Sequence, residues 1–489
     1  MAPHIANDIP PRLLMWQRVR EYAVPPSMIE TATARRAAGD WAGACAAARI
    51  DIDLDLRAVR HRHGTDLVSR LRADLRRLVP DLLRWHMPRI APDGLLRPGL
   101  TLSLARYDPH GTAPLELVVR TPPAWADAGQ RMSLTLWEGP ANHTPRHHPH
   151  PHPDRRFRLD LHRHLWDAAR SGELARRCGA RETPSAAPSG PPPDLGGPGV
   201  SEAPWAVERW AAEAELLLRA EGRARGAFTV RLGARSRAVL ELAAPDDSHV
   251  PALRPLRETL PAQEAAALPV LPEAAVRVLP DLELLRAGLV PAGRLHPLVA
   301  AALPVAPGSA PEAAPTAGTG DPHRVPCRGE VHRIALRDGV LTAVDHDPAQ
   351  LRREELLVAL GGPALPCLRA IDRVHREPEA LPAVRERLRH GDVTGALAVV
   401  ESLLGPAAVL RDGPLRDELE SAAARRVDHG LFRAGLVAVH PAARTAEGGT
   451  AQGGEHAEAG HRPRLDRRMP AAMRTKRAAR GRPRTGLTR

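Results

Sequence analysis

The sequence predicts an α+β fold, α-rich and divided into several units, with short antiparallel β-hairpins or a meander and Pro/Gly-rich linkers. Three observations carry that expectation. Helical periodicity is clearest in Leu381–Pro406, where Val393, Ala396, Leu397, Val400, Leu403 and Leu404 form one apolar stripe. Strand-like alternation recurs in Leu100–Tyr107, Leu115–Thr121 and Arg131–Trp137, and Asp338-Gly339 separates two more such runs. Four stretches rich in Pro, Gly, Ala, Ser or His lack any period: Gly139–Asp154, Arg181–Pro204, Pro304–Pro326 and Pro441–Arg464.

These breaks set the expected organisation. An N-terminal unit spans 10–180 with a His/Pro-rich insertion at 139–154, and a linker follows at 181–204. A middle unit covers 205–303, a second linker 304–326, a C-terminal unit 327–440 and a disordered basic tail 441–489.

The first helix runs through Pro11–Tyr22, with Pro11 suited to the first helical position and Pro25-Pro26 as the stop. A helical hairpin turns at Gly39-Asp40-Trp41. Asp51–Leu56 alternates like a short strand. Thr65 caps a helix carrying Leu67, Val68, Leu71, Leu75 and Leu78, and a second helical segment holds Leu82, Leu83 and Trp85. The three alternating runs then form an antiparallel meander, with a further strand at Arg156–Leu161 and a helix at His162–Arg170. In the middle unit a helix near Pro204–Glu221, capped by Ser201, precedes strands Ala227–Leu232 and Ala238–Leu242 and a helix at Leu282–Ala287. The C-terminal unit opens with the hairpin His332–Arg337/Val340–Val344, then becomes helical to Leu436.

Two internal echoes stand out. Residues 39–46 (GDWAGACA) and 391–398 (GDVTGALA) share Gly, Asp, Gly, Ala and Ala. This turn resembles that of tetratricopeptide-type hairpins, which implies paired helices; the absence of a tandem period argues against a solenoid. Residues 284–290 and 431–437 both read as helix ends closed by a left-handed Gly.

Charge is informative by location. The whole chain is +12, while residues 461–489 hold ten Arg and Lys476 against Asp466, leaving the first 460 residues at +2. The body is therefore nearly neutral, and the pI near 10.8 mostly reports the tail. Aromatics at 3% also disfavour a single-strand binder, which stacks bases on exposed rings. Cys45, Cys178, Cys327 and Cys367 form no CxxC pair and fit a reducing cytosol. With no signal-like N-terminus and no apolar run of about 18 residues, the expectation is a cytoplasmic protein without membrane contact.

Within the tail, Arg480–Arg484 (RGRPR) resembles the core of the AT-hook. The resemblance implies an extended Arg-Gly-Arg in the narrow minor groove, with Lys476, Arg477, Arg480, Gly481, Arg482, Pro483 and Arg484 as the nucleic-acid-binding residues. Physically, Gly permits close backbone approach, and the narrow groove attracts arginine.

Metal candidates are His147, His148, His150 and His152 in the His-rich insertion, since imidazole suits zinc, nickel and copper. Pro alternation keeps that run extended, and it lacks Cys. Asp51, Asp53 and Asp55 read as a solvated strand face, because an EF-hand would need Gly and an acid where Leu56 and Arg62 stand. Cys327, His332, His346, Cys367 and His375 fall in one unit, but their spacing follows no zinc pattern, and buried cysteine usually behaves as a small apolar residue. The tryptophans Trp85, Trp125, Trp137, Trp166, Trp205 and Trp210 read as core anchors.

No P-loop, dinucleotide fingerprint, GxSxG elbow or HExxH occurs, and no catalytic residue or cofactor is assigned. The expected function is a non-enzymatic adaptor or scaffold with a protein partner. Alternatives are a DNA-associated protein tethered by its tail, or a metal-dependent enzyme.

Overall fold

The computed structural model describes residues 9–107, 114–139, 148, 152–180, 204–233, 236–243, 252–256, 260–303 and 323–435. It is an α+β protein with several small, mainly antiparallel sheets. The chain forms two compact units. The first draws its described residues from 9–124 and 131–303, and the second from Trp125–Gln130 and 323–435.

In the first unit, α1 (Pro11–Tyr22) has the expected bounds. The hairpin of α2 (Pro26–Ala37) and α3 (Trp41–Ala47) turns on Gly39 at φ 77°, and Asp40 accepts the Gly43 N–H at 2.7 Å. The strand expected over 51–56 is β1 (Ile50–Asp53), because Asp55 instead caps α4 (Leu56–Arg77) by accepting from Arg57 and Ala58. Gly64, at φ 83° and ψ 178°, breaks α4, so Thr65 does begin a second helical stretch. Next come α5 (Pro80–His86), the short ribbon β2 (Arg89–Ile90) and β3 (Leu95–Leu96), then β4 (Thr101–Arg106), β5 (Glu116–Arg120) and β6 (Met132–Trp137). The last three form the antiparallel meander, and β1 adds to β6 in parallel, giving the order β1-β6-β5-β4.

Residues 156–161 are not a strand, and 162–170 hold only a 3-10 turn, Arg163–Leu165. Side chains explain the irregular backbone. Arg158 forks onto Asp160, Arg163 pairs with Asp74 and Asp167, and the Trp166 indole donates to the Leu159 carbonyl at 2.9 Å.

After α6 (Leu174–Arg177), the helix expected from residue 204 starts as a 3-10 turn and becomes α7 (Trp210–Ala220). Ser201 lies outside the described residues. The strands β7 (Gly226–Arg231) and β8 (Arg237–Ala243) gain a third, β9 (Ala252–Pro255), which lacks the alternation that would have revealed it. Short helices α8 (Ala262–Ala267), α9 (Glu273–Val276), α10 (Pro280–Arg286) and α11 (Pro297–Ala302) follow.

Residues 205–303 do not form one self-contained core. Trp210, Leu217, Phe228, Val230 and Leu240 make a small cluster of their own. Leu284, Val290 and Val299 instead join the larger core built by Leu71, Leu75, Trp85, Leu102, Leu117 and Trp166. Arg20 of α1 donates two hydrogen bonds to Asp281 of α10, both 2.8 Å and buried, which fixes that junction.

The second unit begins with β10 (His323–Cys327), four residues of which lie inside the expected 304–326 linker. It pairs with β11 (Glu330–Arg337), and β11 with β12 (Val340–Ala343), across the expected Asp338-Gly339 turn; φ values of 51° and 77° suit a primed two-residue hairpin. Then follow α12 (Pro348–Ala359), α13 (Pro366–Arg376), α14 (Leu381–Arg389), α15 (Val393–Leu404) and α16 (Pro414–Arg433). The α14–α15 turn repeats the earlier one: Gly391 at φ 81°, Asp392 accepting from Gly395 N–H at 3.2 Å, and Gly405 past the end. Among the described residues, no helix is long and apolar enough to cross a membrane.

Candidate functional site

Antiparallel register decides which side chains share a face of the three-stranded sheet. Cys327 lies opposite Glu330, Val325 opposite His332, and Ile334 is bracketed by His323 and Ala343. Directly opposed residues point the same way, so Val325, Cys327, His332, Ile334 and Ala343 share one side. Against this side packs α13, through Cys367 in its first turn and Ile371 one turn on. The chain leaves Cys327 through Arg328 and Gly329, both at positive φ, and re-enters as β11. In this register Cys327 and His332 are diagonal neighbours on that side of the sheet.

The loop after β12 brings in His346. One donor atom each from Cys327, His346 and Cys367 lie within 4.8 Å of one another. Cys327 and Cys367 are fully buried, and His346 is 8% exposed. His332 stacks on His346, with ring centroids 4.1 Å apart and planes 14° from parallel. Two nitrogens, His346 Nε2 and His332 Nδ1, are buried without a hydrogen-bond partner. Such orphaned acceptors are costly in a low-dielectric core unless something binds them. Glu330 Oε2 sits 3.8 Å from the other nitrogen of His332, Nε2.

Burial shifts two of these groups, Cys367 and His346. Desolvation, followed by the hydrogen-bonded Cys327 thiol, pushes the Cys367 thiol up to about 11. Burial, then the His332 ring and Arg328, hold His346 below the usual imidazole value. Two cysteine sulfurs and two imidazoles are the soft and borderline donors that transition metals prefer over Ca²⁺ or Mg²⁺. These are therefore the residues able to hold a metal ion. His375 is not among them: eight residues beyond Cys367, it lies about 12 Å further along the helix.

The other expected residues are accounted for separately. His148 donates to the Thr121 carbonyl at 2.8 Å, and the His152 ring meets Trp137 edge-on at 6.0 Å, so neither joins a ligand cluster. His147 and His150 lie outside the described residues, as do Lys476, Arg477, Arg480, Gly481, Arg482, Pro483 and Arg484. The three aspartates do not share one solvated strand face: Asp51 pairs with Arg131, β1 ends at Asp53, and Asp55 caps α4. Of the six tryptophans expected as core anchors, Trp125 is half-buried and the other five are buried.

The sequence did carry one signal for the Cys/His cluster. Pro-Cys occurs twice, at 326–327 and 366–367; in the fold Cys327 ends β10 and Pro366 starts the helix that presents Cys367. Comparison with protein-family models, curated proteins and solved structures yields no match for this chain.

Proposed function

We propose that this chain is a non-enzymatic adaptor of the cytoplasm whose second unit docks a protein partner, the occupant being an amphipathic helix of that partner. One observation carries the reading. Helix α12 buries a single side chain, Leu351, yet exposes Leu356, Leu357 and Leu360 at 65%, 52% and 86%. Leu360, the C-cap residue, follows Leu357 by three positions and Leu356 by four, the spacings that share a helix face and that a partner helix reads as anchors. The surrounding surface agrees: of thirteen large apolar side chains exposed among the described residues, ten belong to this unit. The α12 patch amounts to a few hundred Å², on the order of a peptide-docking surface and short of the ~800 Å² per partner of a stable dimer.

A photo-crosslinker placed at Leu357 in the full chain tests this directly. A discrete adduct is expected at Leu357, lost on adding Leu360→Glu and absent when the crosslinker sits at Arg352. Equal adducts from both positions, or an adduct consisting of a second copy of the chain, would overturn it.

A second reading rests on the tail, where eleven cations and RGRPR support duplex DNA or another polyanion as partner. Deleting Asp466–Arg489 is expected to abolish duplex binding at moderate salt; binding that survives the deletion rules the reading out.

A further inference from the structure

We propose that Cys327, His332, His346 and Cys367 form a structural zinc site that staples the three-stranded sheet to α13. Donor chemistry, geometry and charge each support it, independently of the adaptor reading.

Tetrahedral zinc sits about 2.3 Å from sulfur and 2.0–2.1 Å from nitrogen, so its donors lie roughly 3.4–3.8 Å apart. Three of the four donors already lie within 4.8 Å. Closing on the ion therefore asks for shifts of about 1 Å or less. The fourth, His332, is held by its stack on His346 and carries an unpartnered buried Nδ1. Two near-parallel rings cannot both aim at one ion, so binding opens the 14° stack by a side-chain rotation. Glu330, 3.8 Å from His332 Nε2, is placed to accept the proton on the nitrogen that does not bind, the arrangement that orients metal-bound histidines.

The charge balance closes. Zinc takes its cysteine ligands as thiolates, so binding releases the two thiol protons and the two thiolates cancel the 2+ charge. A neutral centre suits two buried cysteines, whose bare thiolates side by side would be two uncompensated charges. Four protein donors also fill the tetrahedron and leave no open position, which makes the site structural rather than catalytic. The staple has a purpose, because the core it joins contains only eight buried residues.

The test uses the untagged full chain with His147, His148, His150 and His152 changed to Asn, so that the His-rich run cannot contribute metal. About one zinc per chain is expected by elemental analysis, released by a thiol-modifying mercurial, with Co²⁺ giving the intense absorption of tetrahedral thiolate coordination. Cys327→Ser and Cys367→Ser are expected to lose that absorption. Because either may fail to fold, His332→Asn is measured alongside. It retains both thiolates, so it should keep the sulfur–cobalt band while its metal affinity falls at least about tenfold in chelator competition. Metal well below stoichiometry after growth with added zinc would overturn the proposal. So would an unchanged stoichiometry in the double cysteine variant, or a Cys327–Cys367 disulfide in the freshly isolated protein. An unchanged affinity in His332→Asn would remove that ligand and with it the closed site. None of these readouts depends on α12, so failure here leaves the adaptor reading standing.

Discussion

At the scale of single residues, the two Gly-Asp turns show how much a short motif specifies. In Gly-Asp-x-x-Gly the first Gly takes positive φ, the Asp caps, and the second Gly leaves room for the cap. A Cβ on Gly43 or Gly395 would collide with the capping carboxylate. An Arg five residues before each Asp completes the turn, Arg35 at 3.1 Å and Arg387 at 2.9 Å. The turns differ in surroundings: a Cβ on Gly39 meets nothing, whereas one on Gly391 would strike the Gly129 carbonyl. Gly39→Ala should therefore cost about 1–2 kcal/mol from handedness alone, and Gly391→Ala more, measured by denaturant melts. Asp392→Ala should cost about 1 kcal/mol as a lost cap.

Asp127 gives a pH prediction. Desolvation, opposed by Arg425, lifts its carboxyl from 3.8 to about 6. The folded chain thus holds this proton more tightly than the unfolded chain. Its contribution is fully present below about pH 4 and is lost as pH rises to about 6. Asp127→Asn should flatten stability between those values and raise it at pH 7 by up to about 3 kcal/mol, as denaturant titrations across pH would show.

At the scale of elements, helix ends were more legible than helix starts. Within the echo, residues 284–290 and 431–435 are two helix C-terminal ends, with Gly288 at φ 64° and Gly435 at φ 77°, and Leu289 N–H returning to the Leu284 carbonyl at 3.0 Å. What propensity missed were features dictated by distant partners: the parallel pairing of β1 with β6, short β9, and the irregular run from 156 to 170. The α1–α10 junction is of the same kind. Asp281 accepts from Arg20 and from the Trp85 indole at 3.1 Å, all buried. Asp281→Ala would leave the Arg20 charge buried and uncompensated, a loss of about 3–5 kcal/mol in a thermal or denaturant melt.

At the scale of the whole molecule, the linker composition at 181–204 suggests a boundary between two units, yet the larger core draws on both sides of it. Leu284, Val290 and Val299 complete a core begun by α4, α5 and the meander. A fragment of residues 9–180 should therefore lack a cooperative unfolding transition, while 9–303 should show one. A sharp calorimetric transition for 9–180 would contradict this. Composition reports which segments lack apolar surface of their own, and says nothing about which neighbours share a core.

The sequence by itself determined the fold class, the caps, the hairpin at Asp338-Gly339 and most helix positions, because these depend on residues within about one turn of each other. It also placed Cys327, His332, His346 and Cys367 in one unit and went no further, since their spacing resembles no ligand pattern. Only the tertiary structure decided that they meet. Strand register turns Cys327 and His332 to one face, a loop returns His346, and α13 sets Cys367 opposite. Convergence of that kind is fixed by pairing between strands and by helix packing, which no local spacing encodes.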